Sequence, residues 1–148
     1  MDPLQSLIYL EADFKRIGED RETYGWKFDP CPPTSTTFRF GLTALDGELY
    51  WFQCVWDGYP HRPPSLMCVD PATGSSTSPS IWPDCDGSRP DGFCWEISRE
   101  GQTRLHPEWS QSASVRWKGD GNPLLTVLDT IYLGILRDPK RYRGRKKS

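Results

Sequence analysis

The sequence predicts an α+β domain, and three observations lead to that class. An apolar stripe of helical period opens the chain, strand-like alternation fills its middle, and a second helical stripe lies near the C-terminus. A segment from 70 to 92, rich in Pro, Gly, Ser and Asp, separates the strands from the last helix. The 148 residues suit one domain with one core. We therefore expect an N-terminal helix, an antiparallel meander, a long loop and a C-terminal helix, with the helices on one side of the sheet.

The first predicted helix begins at a strong capping sequence. Asp2 suits the N-cap, Pro3 suits the first helical position, and Gln5 stands where a capping-box partner belongs. Gly18 is expected to end the helix. The predicted apolar stripe, broken by the charge of Glu11, comprises Leu4, Leu7, Ile8, Phe14 and Ile17. The opposite, exposed face is expected to carry Gln5, Asp13, Lys15 and Arg16.

The strands are predicted from alternation and turn signals. Apolar and polar residues alternate over 37–44, and Asp46-Gly47 is a hairpin turn. The return strand, 48–56, is apolar on both faces, so we expect it to be central and covered on both sides. A short strand over 66–69 follows. The segment 70–92 has no period of its own, and it is expected to be a surface loop.

The C-terminal helix is predicted between a capping pair and a stop. Asn122-Pro123 opens it, and Asp138-Pro139 closes it. The domain is therefore expected to span residues 1–139, with a basic tail at 140–148. Residues 137–148 carry a net charge of +6 out of a total of −2, so the preceding residues carry −8. The tail is interpreted either as a solvated terminus or as a docking segment for an acidic partner or a nucleic acid.

Composition excludes several classes of protein. The chain has five cysteines, an odd number that argues against a disulfide framework, and Cys54 and Cys68 lie in apolar strands as expected core residues. No apolar run is long enough to span a bilayer, and the first residues lack the pattern of a secretory signal. A cytoplasmic protein without a membrane partner is the expectation. The acidic body argues against nucleic-acid binding.

The segment most suggestive of chemistry is Asp91-Gly92-Phe93-Cys94-Trp95-Glu96. It places Cys94 directly after the long loop, whereas a core cysteine is typically found within an apolar run. A thiolate can hold an acyl group as a labile thioester. Cys94 is therefore the candidate nucleophile, and a small buried core residue is the alternative.

Four motifs together resemble the ubiquitin-conjugating enzyme family. Tyr59-Pro60-His61-Arg62-Pro63-Pro64 is similar to that family's Tyr-Pro-x-x-Pro-Pro turn, and Trp82-Pro83-Asp84 stands where the family has His-Pro-Asn. The segment around Cys94 resembles the acceptor-cysteine segment, and Trp109 or Trp117 resembles the Trp before the family's next helix. The helix that ends in Leu136-Arg137-Asp138-Pro139 completes a resemblance covering about residues 3–139.

The resemblance implies the ubiquitin-conjugating (UBC-like) fold, an α+β domain with a four-stranded antiparallel meander and a long active-site loop between the N-terminal and C-terminal helices. It implies that Cys94 accepts a ubiquitin-like protein, or another protein's C-terminus, as a thioester and transfers it to an amine of a target protein. It also implies that the first helix docks an activating-enzyme-like protein, for which Lys15 and Arg16 are the candidate contacts. The chain has no G-x-x-x-x-G-K-[ST] loop, so ATP should be used by that partner, and no cofactor or metal is expected here.

This sequence departs from the family's pattern at the His-Pro-Asn motif and in the spacing that follows it. The family's asparagine supports the acceptor loop and stabilises the oxyanion, whereas Asp84 cannot donate a hydrogen bond unless protonated, and its charge opposes an oxyanion. The spacing from Asp84 to Cys94 is also long for the family. Such drift is similar to the divergent conjugating enzymes encoded beside bacterial antiphage systems.

Other residues are candidate supports for Cys94, and each has a simpler alternative. His106 is a candidate for lowering the thiol pKa or orienting an amine, or is a surface histidine. Asn122 is a candidate oxyanion donor, or only a helix cap. Asp84 and Asp91 are candidates for binding or deprotonating a lysine, or are turn residues. A zinc site from Cys85, Cys94 and His106 lacks the paired spacing of structural zinc sites.

Two function classes stay open at this point. One is the thioester-carrying transferase, which the retained Cys94 favours. The other is a catalytically silent binding module of the same fold that acts as a partner subunit, which the altered His-Pro-Asn favours. A nucleic-acid-binding domain that uses the basic tail is a third and weaker class.

Overall fold

The chain folds as an α+β domain with the predicted order of elements. The structure is a computed structural model, and it describes residues 2–85, 88–89, 92–93 and 95–146. Helices α1 (Pro3–Arg16) and α2 (Gly18–Tyr24) come first, and a four-stranded antiparallel sheet follows. The helix α3 (Pro123–Ile131) continues into a π-helical turn over Tyr132–Leu136.

The sheet is a meander in which each strand pairs with the next one along the chain. Its strands are β1 (Lys27–Asp29), β2 (Thr37–Thr43), β3 (Leu49–Val55) and β4 (Ser65–Cys68), in that spatial order. The predicted hairpin turn is confirmed: the backbone N–H of Glu48 donates to the Asp46 carboxylate at 3.1 Å. Gly47 adopts a φ of 88°, which favours glycine at that position.

Strand β3 is central, as predicted, but it is not covered equally on both faces. Tyr50, Phe52 and Cys54 are buried, whereas Leu49, Trp51 and Val55 are half-exposed. The helices therefore cover one face of the sheet, and the other remains partly open. The alternating apolar residues on that second face do not require full burial, because isolated apolar side chains are ordinary on protein surfaces.

One hydrophobic core joins the buried face of the sheet to the helices. Cys54 and Cys68 belong to it, as predicted. Phe40 stacks on Phe52 across the β2–β3 pair, with ring centroids 5.2 Å apart. The helices contribute the residues Leu10, Phe14, Ile17, Leu124, Val127, Leu128 and Ile131.

Helix α1 has the predicted cap but a rotated buried face. The Asp2 carboxylate accepts from the backbone N–H of Gln5 at 3.0 Å, as an N-cap should. The predicted stripe was wrong at its N-terminal end, since Leu4 is 67% exposed and Ile8 is 55% exposed. The buried side of α1 comprises Ser6, Leu10, Asp13, Phe14 and Ile17. The helix ends close to the predicted stop at Gly18, since α1 runs to Arg16 with Ile17 as its C-cap, and Gly18 then begins the separate helix α2.

The segment between the sheet and α3 has short elements only. A 3₁₀ turn at Pro79–Ile81 precedes the hairpin of β5 (Ser88–Arg89) and β6 (Gly92–Phe93), and β6 lies against β4. A π-helical turn at Gly101–Leu105 and a 3₁₀ turn at Pro107–Gln111 follow. In the described part of the chain, no helix has the length and apolar character needed to cross a bilayer.

Candidate functional site

The site is built from segments on both sides of the candidate nucleophile. Cys94 and Asp91 lie outside the described residues, so their roles stay predictions. The upstream flank is Trp82–Asp84, and the downstream flank begins at Trp95. Each of these flanks is held by hydrogen bonds to other parts of the domain.

The downstream flank is fixed by one buried hydroxyl. Ser98 is fully buried, and its Oγ accepts from the backbone N–H of Trp95 at 3.2 Å and from that of Gly101 at 3.1 Å. The same hydroxyl donates to the Trp95 carbonyl at 2.9 Å. The residue that follows Cys94 is therefore held by both of its backbone polar groups.

Two further contacts bind this flank to the rest of the domain. Buried Gln102 donates through Nε2 to the carbonyls of Glu96 (2.9 Å) and Val115 (2.6 Å). The backbone N–H of Arg99 donates to the Pro64 carbonyl at 2.7 Å, just before β4. The downstream flank is thus linked to the Tyr-Pro turn and to the loop before α3.

The upstream flank carries the substituted His-Pro-Asn motif. Trp82 is buried and donates through Nε1 to the Ser76 carbonyl at 3.1 Å, so it fills the core edge. Asp84 is half-exposed, and its Oδ1 lies 3.3 Å from Nη2 of Arg143. The simpler of the two predictions for Asp84 was an ordinary turn residue. The ion pair shows that Asp84 also has a basic partner in Arg143.

The C-terminal segment lies on this flank, which corrects the interpretation of a solvated terminus. The N–H of Arg143 donates to the Asp84 carbonyl (2.9 Å), that of Asp84 to the Gly144 carbonyl (2.7 Å) and that of Lys146 to the Trp82 carbonyl (2.8 Å). The backbone polar groups of residues 82–84 offered an unpaired edge, and residues 143–146 satisfy it. We call Tyr142–Lys146 the C-terminal strap.

Two side chains anchor the strap to the sheet. Tyr142 is buried, and its hydroxyl bonds the Asp46 carboxylate (2.9 Å) and the Tyr50 hydroxyl (2.6 Å). Burial, together with these hydrogen bonds, raises the pKa of Tyr142. Arg145 bonds the Glu48 carboxylate at 2.7 Å and lies over the Tyr50 ring, 4.6 Å from its centroid.

The same C-terminal region also touches the downstream flank. The guanidinium carbon of Arg141 lies 5.7 Å from the centroid of the Trp95 ring, within the range of a cation–π contact. Arg143 contacts the upstream flank at Asp84. Basic residues thus contact both the upstream and the downstream flank. Sequence analysis missed this, because the signal was only a run of basic residues at a chain end.

Asn122 is engaged as a cap, which is the simpler of its two predicted roles. Its Oδ1 accepts from the N–H of Leu125 at 3.0 Å, and its Nδ2 donates to the Asp13 carbonyl at 3.1 Å. Its amide therefore joins the start of α3 to α1.

A buried polar joint connects α1, the Tyr-Pro turn and α3. The prediction that Asp13 is exposed was wrong: the residue is 6% exposed, and its carboxylate accepts a hydrogen bond from the Tyr59 hydroxyl. That hydroxyl also accepts from the N–H of Leu124 at 3.3 Å. Burial and the neighbouring carboxylate raise the pKa of Tyr59. This joint fixes α1 relative to the turn.

His106 is placed on the surface. Its Nδ1 lies 3.1 Å from the Glu108 carboxylate, and its ring stacks on Trp109 with centroids 4.2 Å apart. Hydrogen bonds from its own backbone and from His106 lower the pKa of Glu108. These contacts fit the surface-histidine alternative, while a role at Cys94 stays a prediction.

Lys15 and Arg16 are both exposed, as expected for a docking face. Arg16 is not independent of the buried joint, because its Nη1 lies 3.1 Å from Oδ1 of Asp13. Lys15 is therefore the cleaner probe of partner docking. The exposed Leu4 and Ile8 add apolar surface to the same helix.

The remaining cysteines fall into two groups. Burial raises the pKa of Cys54 and of Cys68, which makes both poor nucleophiles, and Cys85 is also buried. Cys31 is exposed, with Nη1 of Arg21 at 3.1 Å from its sulfur. Among the residues that the structure describes, no three His, Cys, Asp or Glu side chains are grouped as a metal site.

Compared with known proteins, the chain matches no family model, no curated protein and no solved structure.

Proposed function

We propose that this chain is a ubiquitin-conjugating-enzyme-like carrier. In this proposal Cys94 accepts a ubiquitin-like protein, or another protein's C-terminus, as a thioester and transfers it to a target amine. The setting proposed is bacterial antiphage defence in the cytoplasm, with an activating-enzyme-like partner. The fold proposed is that family's own, with the four-stranded meander as its centre.

One observation carries the proposal: two of the elements that resemble the family, Trp117 and the start of α3, contact the Tyr-Pro turn. Trp117 donates through Nε1 to the Pro60 carbonyl at 3.1 Å, and its ring packs against Trp56. The N–H of Arg99, five residues after Cys94, donates to Pro64. Tyr59 bonds the start of α3. Motifs separated by up to 65 residues thus form one contact network, which supports reading them as one functional unit.

The proposed chemistry needs only a thiol and an amine. The Cys94 thiolate attacks the carbonyl of an upstream thioester, forms a new C–S bond and releases the donor thiolate. The target amine then attacks the new thioester, the C–S bond breaks, and an amide and the Cys94 thiolate result, while the amine proton passes to solvent. No nucleotide is consumed in either step on this chain.

A silent binding module is the second candidate, and the oxyanion position favours it. Asp84 offers a carboxylate where the family has an amide donor, and Asn122 already uses both ends of its amide. A module of this kind would bind partners through α1 without acylating Cys94.

The first prediction tests Cys94 directly with a small acyl donor. The probe is the N-acetyl-glycylglycine thioester of 2-mercaptoethanesulfonate, and peptide mass spectrometry locates the acyl group. We expect Cys94 to be acylated at least about tenfold faster than Cys31, because activation of a carrier thiol favours its thiolate. Cys31 is an internal control, since it is exposed in the same molecule.

Variants separate the two candidates. Cys94→Ala should remove the thioester, and Cys94→Ser should give an oxyester that resists added thiol. Equal acylation of Cys31 and Cys94 at the rate of a free cysteine would contradict the carrier and favour the silent module. Acylation that persists in Cys94→Ala at another cysteine would show that the nucleophile was misassigned.

A further inference from the structure

We propose that a cavity beside the Tyr-Pro turn binds a small organic dianion, which Arg62 and Arg99 hold by charge-assisted hydrogen bonds. The ligand carries two negative charges on oxygen atoms, attached to an apolar body, and a phosphate monoester and a dicarboxylate are the two sources of that chemistry. The site is independent of Cys94 and of the carrier function, because its arginines and its apolar wall belong to the described part of the chain.

The cavity lies where the end of β3, the turn at 59–65 and the segment 95–121 meet. Its volume is about 410 Å³, which is within the range of small-molecule sites. Val55 and Pro63 are half-buried and give it an apolar wall. The described residues that line it are Val55, Asp57, Arg62, Pro63, Arg99 and Thr103. We call it the two-arginine cavity.

Arg62 is fixed both at its backbone and along its side chain. Its N–H donates to the Gly58 carbonyl at 3.3 Å, and its carbonyl accepts from Nε1 of the buried Trp56 at 2.7 Å. Gly58 has no side chain, and a Cβ at that position would lie 3.2 Å from Cδ of Arg62. The arginine stem therefore lies over Gly58, and part of its conformational entropy is already lost before the guanidinium binds a ligand.

Arg99 is fixed at its backbone, in part by the same turn. Its N–H donates to the Pro64 carbonyl at 2.7 Å, and its own carbonyl accepts from Oγ1 of Thr103 at 2.7 Å. Pro64 lies two residues from Arg62, so the hydrogen bond to Pro64 sets the spacing between the two arginine backbones. Two distant segments of the chain thus bring their arginines to one cavity.

The two guanidinium groups have no counterion among the described residues. Neither side chain forms an ion pair or a hydrogen bond with any residue that the structure describes, and both are exposed. The carboxylate next to Arg99 in the sequence, that of Glu100, is hydrogen-bonded to Ser65 and to the Leu66 backbone instead. A dianion in the cavity therefore interacts favourably with two cations at once. Each guanidinium also presents a planar fork of N–H donors that matches the oxygens of a phosphate or a carboxylate.

Asp57 opposes the proposed ligand, and it supplies a test of sign. Among the described lining residues, its carboxylate is the one negative charge against the two positive charges of the arginines. Asp57 is exposed, so solvent and salt screen its charge. The cavity therefore favours an anion, and removing the charge of Asp57 should strengthen its binding.

The experiment is an NMR titration of the ¹⁵N-labelled full chain at about 50 mM salt, where exposed charges are weakly screened. Phenyl phosphate and phenylsuccinate are the dianionic probes, and benzyl alcohol is the neutral control. We expect at least one dianion to saturate the protein with a Kd below about 1 mM, and benzyl alcohol to show no saturable binding. The tighter of the two probes identifies the source as a phosphate monoester or a dicarboxylate. Inorganic phosphate should bind at least about threefold more weakly than phenyl phosphate, because it lacks the ring that contacts Val55 and Pro63.

Matched variants test each charge with the tighter probe. Arg62→Gln and Arg99→Gln should each weaken binding about five- to tenfold, since each removes one charged fork of donors. Arg116→Gln removes the same charge from an exposed residue that does not line the cavity, so it should bind like the wild type. Asp57→Asn should strengthen binding about two- to threefold, because the opposing charge is gone. Arg62→Lys keeps the charge without the fork, and its Kd should lie between those of the wild type and Arg62→Gln.

The replaced side chains are exposed, and melting temperatures verify that the variants remain folded. A wild-type chain that neither dianion saturates would overturn the site. Binding that Arg62→Gln and Arg99→Gln leave unchanged, or that Arg116→Gln weakens as much, would overturn it too. Weaker binding by Asp57→Asn would show that the cavity holds a cationic group instead, and equal binding of inorganic phosphate and phenyl phosphate would overturn the role of the apolar wall. None of these measurements requires acylation of Cys94, so the carrier function stands or fails separately.

Discussion

The sheet and the segment from 95 to 121 are stabilised in different ways. In the sheet, fully buried side chains such as Phe40, Leu42 and Phe52 alternate with more exposed positions along the strands and belong to the core shared with the helices. The segment 95–121 has short turns and is held by single polar contacts, some within the segment and others to the turn at 59–65. Burial of area is non-directional, whereas each of these contacts requires one atom in one place. The sheet therefore depends on buried apolar area, whereas the segment 95–121 depends on individual polar contacts.

The widest difference between the two regions is expected from truncating an aromatic side chain in each. Phe40→Ala should cost about 3–5 kcal/mol, because the ring is fully buried and stacks on Phe52. Trp117→Ala should cost about 1–2 kcal/mol, because the ring is half-buried and loses one hydrogen bond. Urea denaturation measures both free energies of unfolding. Equal losses in the free energy of unfolding for the two variants would show that the two regions are not stabilised in different ways.

A smaller effect is expected where the segment approaches the turn too closely for any side chain. A Cβ on Gly119 would lie 2.2 Å from the Pro60 carbonyl oxygen, so Gly119→Ala must displace backbone and should cost about 1–3 kcal/mol. Gly134→Ala is the matched control, because a Cβ there meets no described atom within 4 Å. It should be neutral or stabilise the helical turn by up to about 1 kcal/mol. Similar melting temperatures for the two variants would show that the contact at Pro60 does not constrain the segment.

The smallest effect concerns pH and one carboxyl at the boundary between the regions. Burial raises the pKa of Glu100, against hydrogen bonds from Ser65 and the Leu66 backbone that lower it. A raised pKa means that the folded state binds the proton more tightly than the unfolded state. The contribution of Glu100 to stability is therefore greatest below the ordinary value of 4.5 and declines as pH rises through the raised pKa.

Glu100→Gln checks that sign. The variant should gain stability relative to the wild type as pH rises from about 4 to about 8, because its amide does not ionise. Melting temperatures of both proteins across that range give the difference directly. A constant difference would mean that the pKa of Glu100 is the same in the folded and unfolded chain. Phe40→Ala, in the core, should show no such dependence relative to the wild type.

The sequence predicted local features more accurately than contacts between distant segments. The helix caps at Asp2 and Asn122, the Asp46-Gly47 turn and the buried Cys54 and Cys68 were predicted, because each depends on a short local pattern. The face of α1 was predicted wrongly at Leu4 and Ile8, since local periodicity does not reveal which neighbours are available. The candidate site was predicted only as a list of residues, and Cys94 itself lies outside the described residues.

The sequence by itself determined the α+β class, the order of the elements and the resemblance that points to Cys94. Only the tertiary structure decided that Asp13 is buried against Tyr59 and that the basic C-terminus is bound to Trp82–Asp84. The physical reason is that a charged residue is buried or bound only when a compensating partner is present. Those partners, Tyr59 for Asp13 and Arg143 for Asp84, lie 46 and 59 residues away along the chain. Their contacts exist only once the meander and the helices have brought them together.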